Sequence, residues 1–130
     1  LNRYEVAQTG EKIAIIGLGT FFELAKEAAK LLKEEAGINA TVINPYYITG
    51  LDEALLTKLK QNHDTVITLE DGILDGGFGE KIARFYGASN MKVMNYGLKK
   101  EFLDRYDVDA VLKENHLTAE QIVEDVLSIL

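Results

Sequence analysis

The run Lys12–Gly17 (KIAIIG) carries three isoleucines, no polar residue between Lys12 and its close, and a stop at Gly17. A strand this apolar must be covered on both faces, the situation of a central strand in a parallel sheet. Two further runs repeat the pattern, Asn39–Ile43 (NATVI) and Asp64–Leu69 (DTVITL). The stretches between them have helical periodicity. Phe21, Leu24, Ala25, Ala28, Leu31 and Leu32 make one apolar stripe that Gly37 ends. Leu55 and Leu59 mark a second helix, opened by Leu51-Asp52-Glu53, whose acids suit the positive end of the helix dipole. Such alternation predicts an α/β, Rossmann-like three-layer domain with about five mostly parallel strands and helices on both faces.

The flanks complete the outline. Residues 1–10 read as a linker from something upstream or as one antiparallel edge strand around Tyr4 and Val6; residues 11–130 form the domain. After the third run the chain passes Glu70 and Asp71, reaches Gly76-Gly77-Phe78-Gly79, and enters a helix to about Tyr86 with Phe78, Ile82 and Phe85 on one face. Met91–Met94 is a short strand, Asn95–Leu98 a turn, and Val108–Lys113 a short helix. Ile122, Val123, Val126 and Ile129 or Leu130 line the last helix. Thr20 with Glu23, and Thr118 with Gln121, have the spacing of capping boxes. The single proline, Pro45, stops pairing after the second run.

Composition narrows the chemistry. There is no cysteine, which excludes disulfides, thiolate metal sites and cysteine nucleophiles. His63 and His116 are the only histidines, and both stand at turns where a surface or capping role is expected. The net charge of −7 argues against nucleic acid or an anionic membrane as partner. No run has transmembrane length and Leu1 opens no signal-peptide pattern, so a cytoplasmic setting is expected.

The turn Gly17-Leu18-Gly19-Thr20-Phe21-Phe22 imitates a dinucleotide fingerprint. It has Phe22 where the third glycine belongs, and its second strand ends on Asn44 where a ribose-binding acid is needed. Gly76, Gly77, Phe78 and Gly79 are the better candidate, because glycines ahead of a helix can aim several N–H groups at one anion. Glu70, Asp71 and Asp75 crowd that approach with negative charge. Glu70 and Asp71 are adjacent on an extended segment and so point to opposite sides, which is a poor acid/base pair. Tyr46 and Tyr47 project from a strand-end loop and could meet a ligand or a neighbouring domain. These eight residues are the candidate anion corner or domain interface. No catalytic, cofactor-binding or metal residue is assigned.

In their order, KIAIIGLGT, LLKEEAGINATVIN, LDEALL, VITLEDGILDGGFGEKI, MNYGLKKEF and HLTAEQI resemble a known family. The chain looks like the C-terminal domain of the thiamine-diphosphate-dependent transketolase superfamily, with the nearest resemblance to 1-deoxy-D-xylulose-5-phosphate synthases. The resemblance runs from Gly10 to Leu130 and implies a packing and dimer-forming domain without catalysis of its own. The implied partners are upstream pyrophosphate- and pyrimidine-binding domains and a second copy in a homodimer. Thiamine diphosphate and Mg would be held by the full-length parent and not by this chain, in which the family's GDG metal motif is absent. The implied parent chemistry is transfer of a two-carbon unit from a 2-oxo acid or ketose to an aldehyde. The residues alone also allow a free-standing anion- or nucleotide-binding or regulatory module built on the GGFG turn.

Overall fold

The computed structural model describes residues 3–46, 50–73 (backbone only for 71–73), 77–98 and 107–130. Five strands are described: β1 (Glu5–Gln8), β2 (Lys12–Gly17), β3 (Thr41–Asn44), β4 (His63–Ile73) and β5 (Lys92–Leu98). The helices are α1 (Phe21–Ala36), α2 (Glu53–Leu59), α3 (Phe78–Tyr86), α4 (Val108–Glu114) and α5 (Ala119–Leu127). The strands form one sheet in the order β1-β3-β2-β4-β5. β1 pairs antiparallel with β3 at one edge, and the other pairings are parallel.

The apolar run of β2 is doubly covered. Ile13 and Ile15 pack with Ala25, Ala28 and Leu32 of α1 and with Ile122, Val123 and Val126 of α5. Ala14 and Ile16 pack with Leu56 and Leu59 of α2 and with Phe78, Ile82 and Tyr86 of α3. All four β2 side chains are fully buried. At about 25 cal/mol per Å² of apolar area, the buried isoleucines are worth roughly 2–3 kcal/mol each. Tyr86 secures α3 to α2 by donating its hydroxyl to Leu56 O at 2.6 Å. Burial pushes the Tyr86 phenol up, with a smaller contribution from Tyr4.

Two glycines fix the geometry of α1. At Gly17 a Cβ would lie 2.5 Å from Phe21 O and 2.9 Å from Phe22 Cα, so α1 starts directly against the end of β2. Gly37 is left-handed at φ 68 and ends α1 as its spacing predicts.

Several local expectations are corrected. Thr20 makes no side-chain cap on α1 because its own backbone is already helical, which turns the hydroxyl away from the first-turn N–H groups. Thr118 does cap α5, accepting from Gln121 N at 3.2 Å. The Gln121 side chain, however, accepts from the Thr118 hydroxyl and donates to Lys113 O instead of closing the box. β5 does not turn at Asn95; it runs to Leu98 because Asn95, Tyr96 and Leu98 continue the pairing with β4. β4 likewise continues to Ile73, through an irregularity after Leu69. α5 ends at Leu127, which leaves Ile129 and Leu130 exposed beyond the packed stripe. In α2 the fully buried partner of Leu59 is Leu56, with Leu55 at the rim.

Candidate functional site

From β2 the chain moves through α1 to β3 on one side; from β3 it crosses back through α2 to β4 on the other side. The carboxyl ends of β2 and β4 therefore flank the topological switch point, where open α/β sheets hold their ligands. Leu18 N donates to Leu69 O at 2.9 Å and draws the two strand ends together.

Glu70 lies beside this point and is only 4% exposed. Its Oε1 accepts from Phe78 N–H at 3.1 Å and its Oε2 from Gly79 N–H at 2.7 Å. These are first-turn donors of α3, which lack intrahelical acceptors. Gly77, the N-cap, is extended and has no side chain with which to cap. The strand supplies the cap that the turn lacks, as a charge-assisted two-point bond placed on the positive end of the helix. Gly79 allows the close approach: a Cβ there would lie 2.7 Å from both Asn95 Oδ1 and Thr68 Oγ1. Thr68 donates to Asn95 Oδ1 at 2.6 Å beneath it.

A second layer braces the corner. The Phe78 ring is buried and tilts against Tyr4 at a centroid distance of 6.1 Å. The Tyr4 hydroxyl donates to Gly50 O at 3.0 Å, and burial pushes its phenol up to about 12. Asp52 joins two elements: Oδ2 accepts from Tyr4 N at 2.9 Å, and Oδ1 caps α2 at Leu55 N at 3.1 Å. Tyr46 stands apart with 48% of its surface exposed. It takes a left-handed backbone at φ 56, its N–H donates to Asn44 Oδ1 at 2.8 Å, and its hydroxyl donates to Glu5 Oε1 at 2.8 Å. That bond to Glu5 raises the Tyr46 phenol. An exposed aromatic ring is thus held in one orientation at the sheet's carboxyl end.

The structure thus brings Glu70, Gly77, Phe78 and Gly79 together and keeps Tyr46 outside that cluster. The Asp71 side chain, Gly76 and Tyr47 lie outside the described residues. Among the described residues no group of three His, Cys, Asp or Glu could hold a metal ion, and no helix is long and apolar enough to cross a membrane.

The histidines are more engaged than a surface role requires. His63 is half-buried, with Nδ1 3.1 Å from Leu59 O and Nε2 2.7 Å from Thr41 Oγ1. A carbonyl only accepts, so Nδ1 carries the proton and Nε2 takes the threonine hydrogen. The bond to Leu59 O is the expected cap on the end of α2. Burial lowers the His63 pKa, against smaller raising effects from Leu59, Asp64 and Glu11.

A cluster on the other face was missed by sequence reasoning. Tyr96 donates its hydroxyl to Asp125 Oδ2 at 2.8 Å, and His116 Nδ1 lies 2.9 Å from the same oxygen. His116 reaches it from a left-handed backbone at φ 58. Burial, reinforced by Asp125, pushes the Tyr96 phenol up. The three residues come from β5, the α4–α5 turn and α5, and their spacing in the chain gives no signal that they meet.

Fold and corner together define an open, doubly wound α/β domain whose switch-point helix is capped by its own strand. Comparison with known proteins is more specific. The profile described as "Transketolase, C-terminal domain" matches residues 2–122, and the chain belongs to this family. The 1-deoxy-D-xylulose-5-phosphate synthase of Symbiobacterium thermophilum is 37% identical over 126 residues, covering 95% of this chain and 19% of that protein. The corresponding synthase of Rippkaea orientalis is 34% identical over 131 residues, covering 99% of this chain and 20% of that protein. This chain therefore spans about one-fifth of these relatives. Among solved structures, a split-gene transketolase described as an inactive beta4 tetramer superposes with a TM-score of 0.86 at 29% identity, over 98% of this chain and 42% of that one. Transketolase from Campylobacter jejuni shares the fold, with a TM-score of 0.66 at 16% identity over 98% of this chain and 18% of that one.

Proposed function

We propose that this chain is the packing and dimerisation domain of a cytoplasmic, thiamine-diphosphate-dependent two-carbon transferase of the transketolase and 1-deoxy-D-xylulose-5-phosphate synthase type. Its partners are the pyrophosphate- and pyrimidine-binding domains of the parent and a second copy of the assembly. Family membership and the synthase relatives support the parent's class. The same reading covers a parent divided into separate chains, as in the split-gene transketolase.

The observation that carries the non-catalytic role is Glu70. In a domain of this topology the N–H groups at the switch point are the natural anchor for a diphosphate. Here Phe78 N–H and Gly79 N–H are both spent on a buried carboxylate. A diphosphate at that position would meet like charge in a poorly solvated place, at a cost of several kcal/mol. The described residues of this corner therefore do not fit the cofactor, and the same argument weighs against a free-standing anion-binding module. Cofactor and magnesium are assigned to the other domains of the parent. When bound there, the cofactor supplies the carbanion chemistry. This chain contributes a rigid wall with Tyr46 presented on it.

Calorimetric titration of this chain with thiamine diphosphate and magnesium should give no saturable heat, and co-purification with the two upstream domains should retain it. Saturable binding in the micromolar range by the isolated chain would overturn the reading. Tyr46→Asp should weaken retention by the upstream domains without shifting the unfolding midpoint, because the ring is exposed.

A further inference from the structure

The amino end of the sheet holds a tight corner. Gly10, Glu11 and Lys12 bring the chain from β1 into β2. A Cβ at Gly10 would run into Asn39 O and the Ala40 carbonyl carbon, so backbone lies against backbone there. Lys12 takes a left-handed backbone at φ 74, a conformation that residues with a side chain rarely adopt. Three consecutive N–H groups fasten this corner. Glu11 N and Lys12 N donate to backbone carbonyls, Asn39 O and Asn62 O, each at 2.8 Å. Gly10 N differs: it donates to a side chain, Thr41 Oγ1, at 2.9 Å.

That side-chain bond is one link of a relay. Thr41 Oγ1 lies 2.7 Å from His63 Nε2, and His63 Nδ1 holds its hydrogen on Leu59 O at 3.1 Å. With the proton on Nδ1, a neutral ring offers only a lone pair at Nε2. The hydroxyl hydrogen therefore points to the ring, and the hydroxyl oxygen accepts from Gly10. Protonation puts a second hydrogen on the ring, at Nε2. Two hydrogens cannot share that 2.7 Å line, so the hydroxyl has to turn or the ring has to leave. Thr41 is 3% exposed, and its hydroxyl bonds to Gly10 and His63 alone among the described residues. A turned hydroxyl hydrogen has neither free access to water nor an acceptor already in place. The ring is only half-buried and borders an open cavity of about 350 Å³, lined also by Lys60, Asp64, Ser89, Asn90 and Met91. Solvent protons reach it there, and it has room to swing out.

The charges around the ring oppose each other. Burial disfavours the charged ring more than Asp64 and Glu11 favour it. Lys60 borders the cavity behind α2, Lys12 lies 4.0 Å from Asp64, and Lys92 of β5 is turned to Ile129 O at 3.2 Å. β3 brings Thr41 and no charged group.

We propose that His63, Thr41 and Gly10 form a proton-operated latch on the link between β1 and β2. With His63 neutral the latch is closed. With His63 protonated the Gly10 bond gives first, because the bonds of Glu11 and Lys12 do not pass through a side chain. The segment so held carries Tyr4, which packs on Phe78, and Glu5, which holds the Tyr46 hydroxyl. Acid at one end of the sheet thus loosens the strand that braces the Glu70 corner and Tyr46 at the other.

The test is amide hydrogen exchange on the isotope-labelled full chain, followed by NMR from about pH 8 to about pH 4.5, across the ordinary histidine range. Protection at Gly10, corrected for the intrinsic exchange rate at each pH, should fall about tenfold as His63 titrates, the worth of one hydrogen bond. The Glu11 and Lys12 amides are internal controls and should change less than about twofold, since their bonds stay closed. Above the transition the His63 ring should show Nδ1 protonated and Nε2 bare. His63→Gln should make Gly10 protection independent of pH, and Thr41→Ser, which keeps the hydroxyl, should retain the dependence. The comparison of the three amides in the unsubstituted chain decides the matter if a variant fails to fold. Unchanged protection at Gly10, parallel loss at all three amides, a proton on Nε2 of the neutral ring, or a pH dependence that persists in His63→Gln would each overturn the proposal.

Discussion

Glu70 and Asp125 act near the same level of the sheet, since Leu69, which precedes Glu70, is in register with Tyr96, the partner of Asp125. Glu70 is buried and bonds to two backbone N–H groups of the adjoining helix. Asp125 is 28% exposed in its side chain and bonds to two other side chains through a single oxygen. A carboxylate that meets backbone donors at a helix start is neutralised within the fold and closes a site. A carboxylate that meets a tyrosine and a histidine ties β5, the α4–α5 turn and α5 together through side chains alone. The fate of each acid depends on what faces it, not on its neighbours in the chain.

The largest expected effect breaks the closed corner. Glu70→Ala removes the acceptor of two buried donors and should cost about 3 kcal/mol in urea unfolding. Glu70→Gln should recover part of that loss, because its one amide oxygen can still take one of the two bonds. A loss below about 0.5 kcal/mol for Glu70→Ala, the range of ordinary surface substitutions, would mean that the corner is not a cap.

The next effect separates the geometry of the corner from its charge. In Gly79→Ala the new Cβ would sit 2.7 Å from Asn95 and Thr68 atoms. Overpacking of this kind should cost about 2 kcal/mol, and a second change, Asn95→Ala, should restore a measurable part by making room. Equal losses in the single and double variants would show that the contact with Asn95 is not the cause.

The smallest effect carries the comparison to the other end of the sheet. There Gly10 N donates to Thr41 Oγ1, whose hydrogen goes to His63 Nε2, whose Nδ1 hydrogen goes to Leu59 O. The folded His63 pKa is lowered by burial. The unfolded chain therefore binds more protons in this range, and stability rises with pH. The contribution is complete above the ordinary histidine value of about 6.5 and is lost as pH falls from there through the folded value. His63→Gln should flatten this part of the pH–stability curve. A curve of unchanged slope would assign the acid sensitivity to other groups.

The elements were largely legible because their signals are local. The doubly apolar runs mark β2, β3 and most of β4, the apolar stripe of α1 is the face that packs on the core, and Gly37 is its stop. The errors fall at ends and caps. Thr20 has the right spacing for a capping box and the wrong backbone angles for it. Asn95–Leu98 has the composition of a turn, yet its pairing with β4 keeps it extended.

In the candidate site, Glu70 and Gly77-Phe78-Gly79 could be singled out because an acidic strand end before a glycine turn is a contiguous pattern. That the two halves bind each other was not visible. The negative charge that seemed to crowd an anion corner includes the very group that occupies it. The Tyr96–His116–Asp125 cluster left no trace at all, because Tyr96 and Asp125 are 29 positions apart.

By itself, then, the sequence determined the alternation of covered strands and amphipathic helices, the family, and the absence of thiol chemistry. These follow from residue type and from periods shorter than one element. Only the tertiary structure decided which N–H groups were already spent and which distant side chains share one acceptor. Hydrogen-bond partners at a helix start, and across a sheet face, are set by how elements dock, and docking distances of a few ångströms are not written in the spacing of residues along the chain.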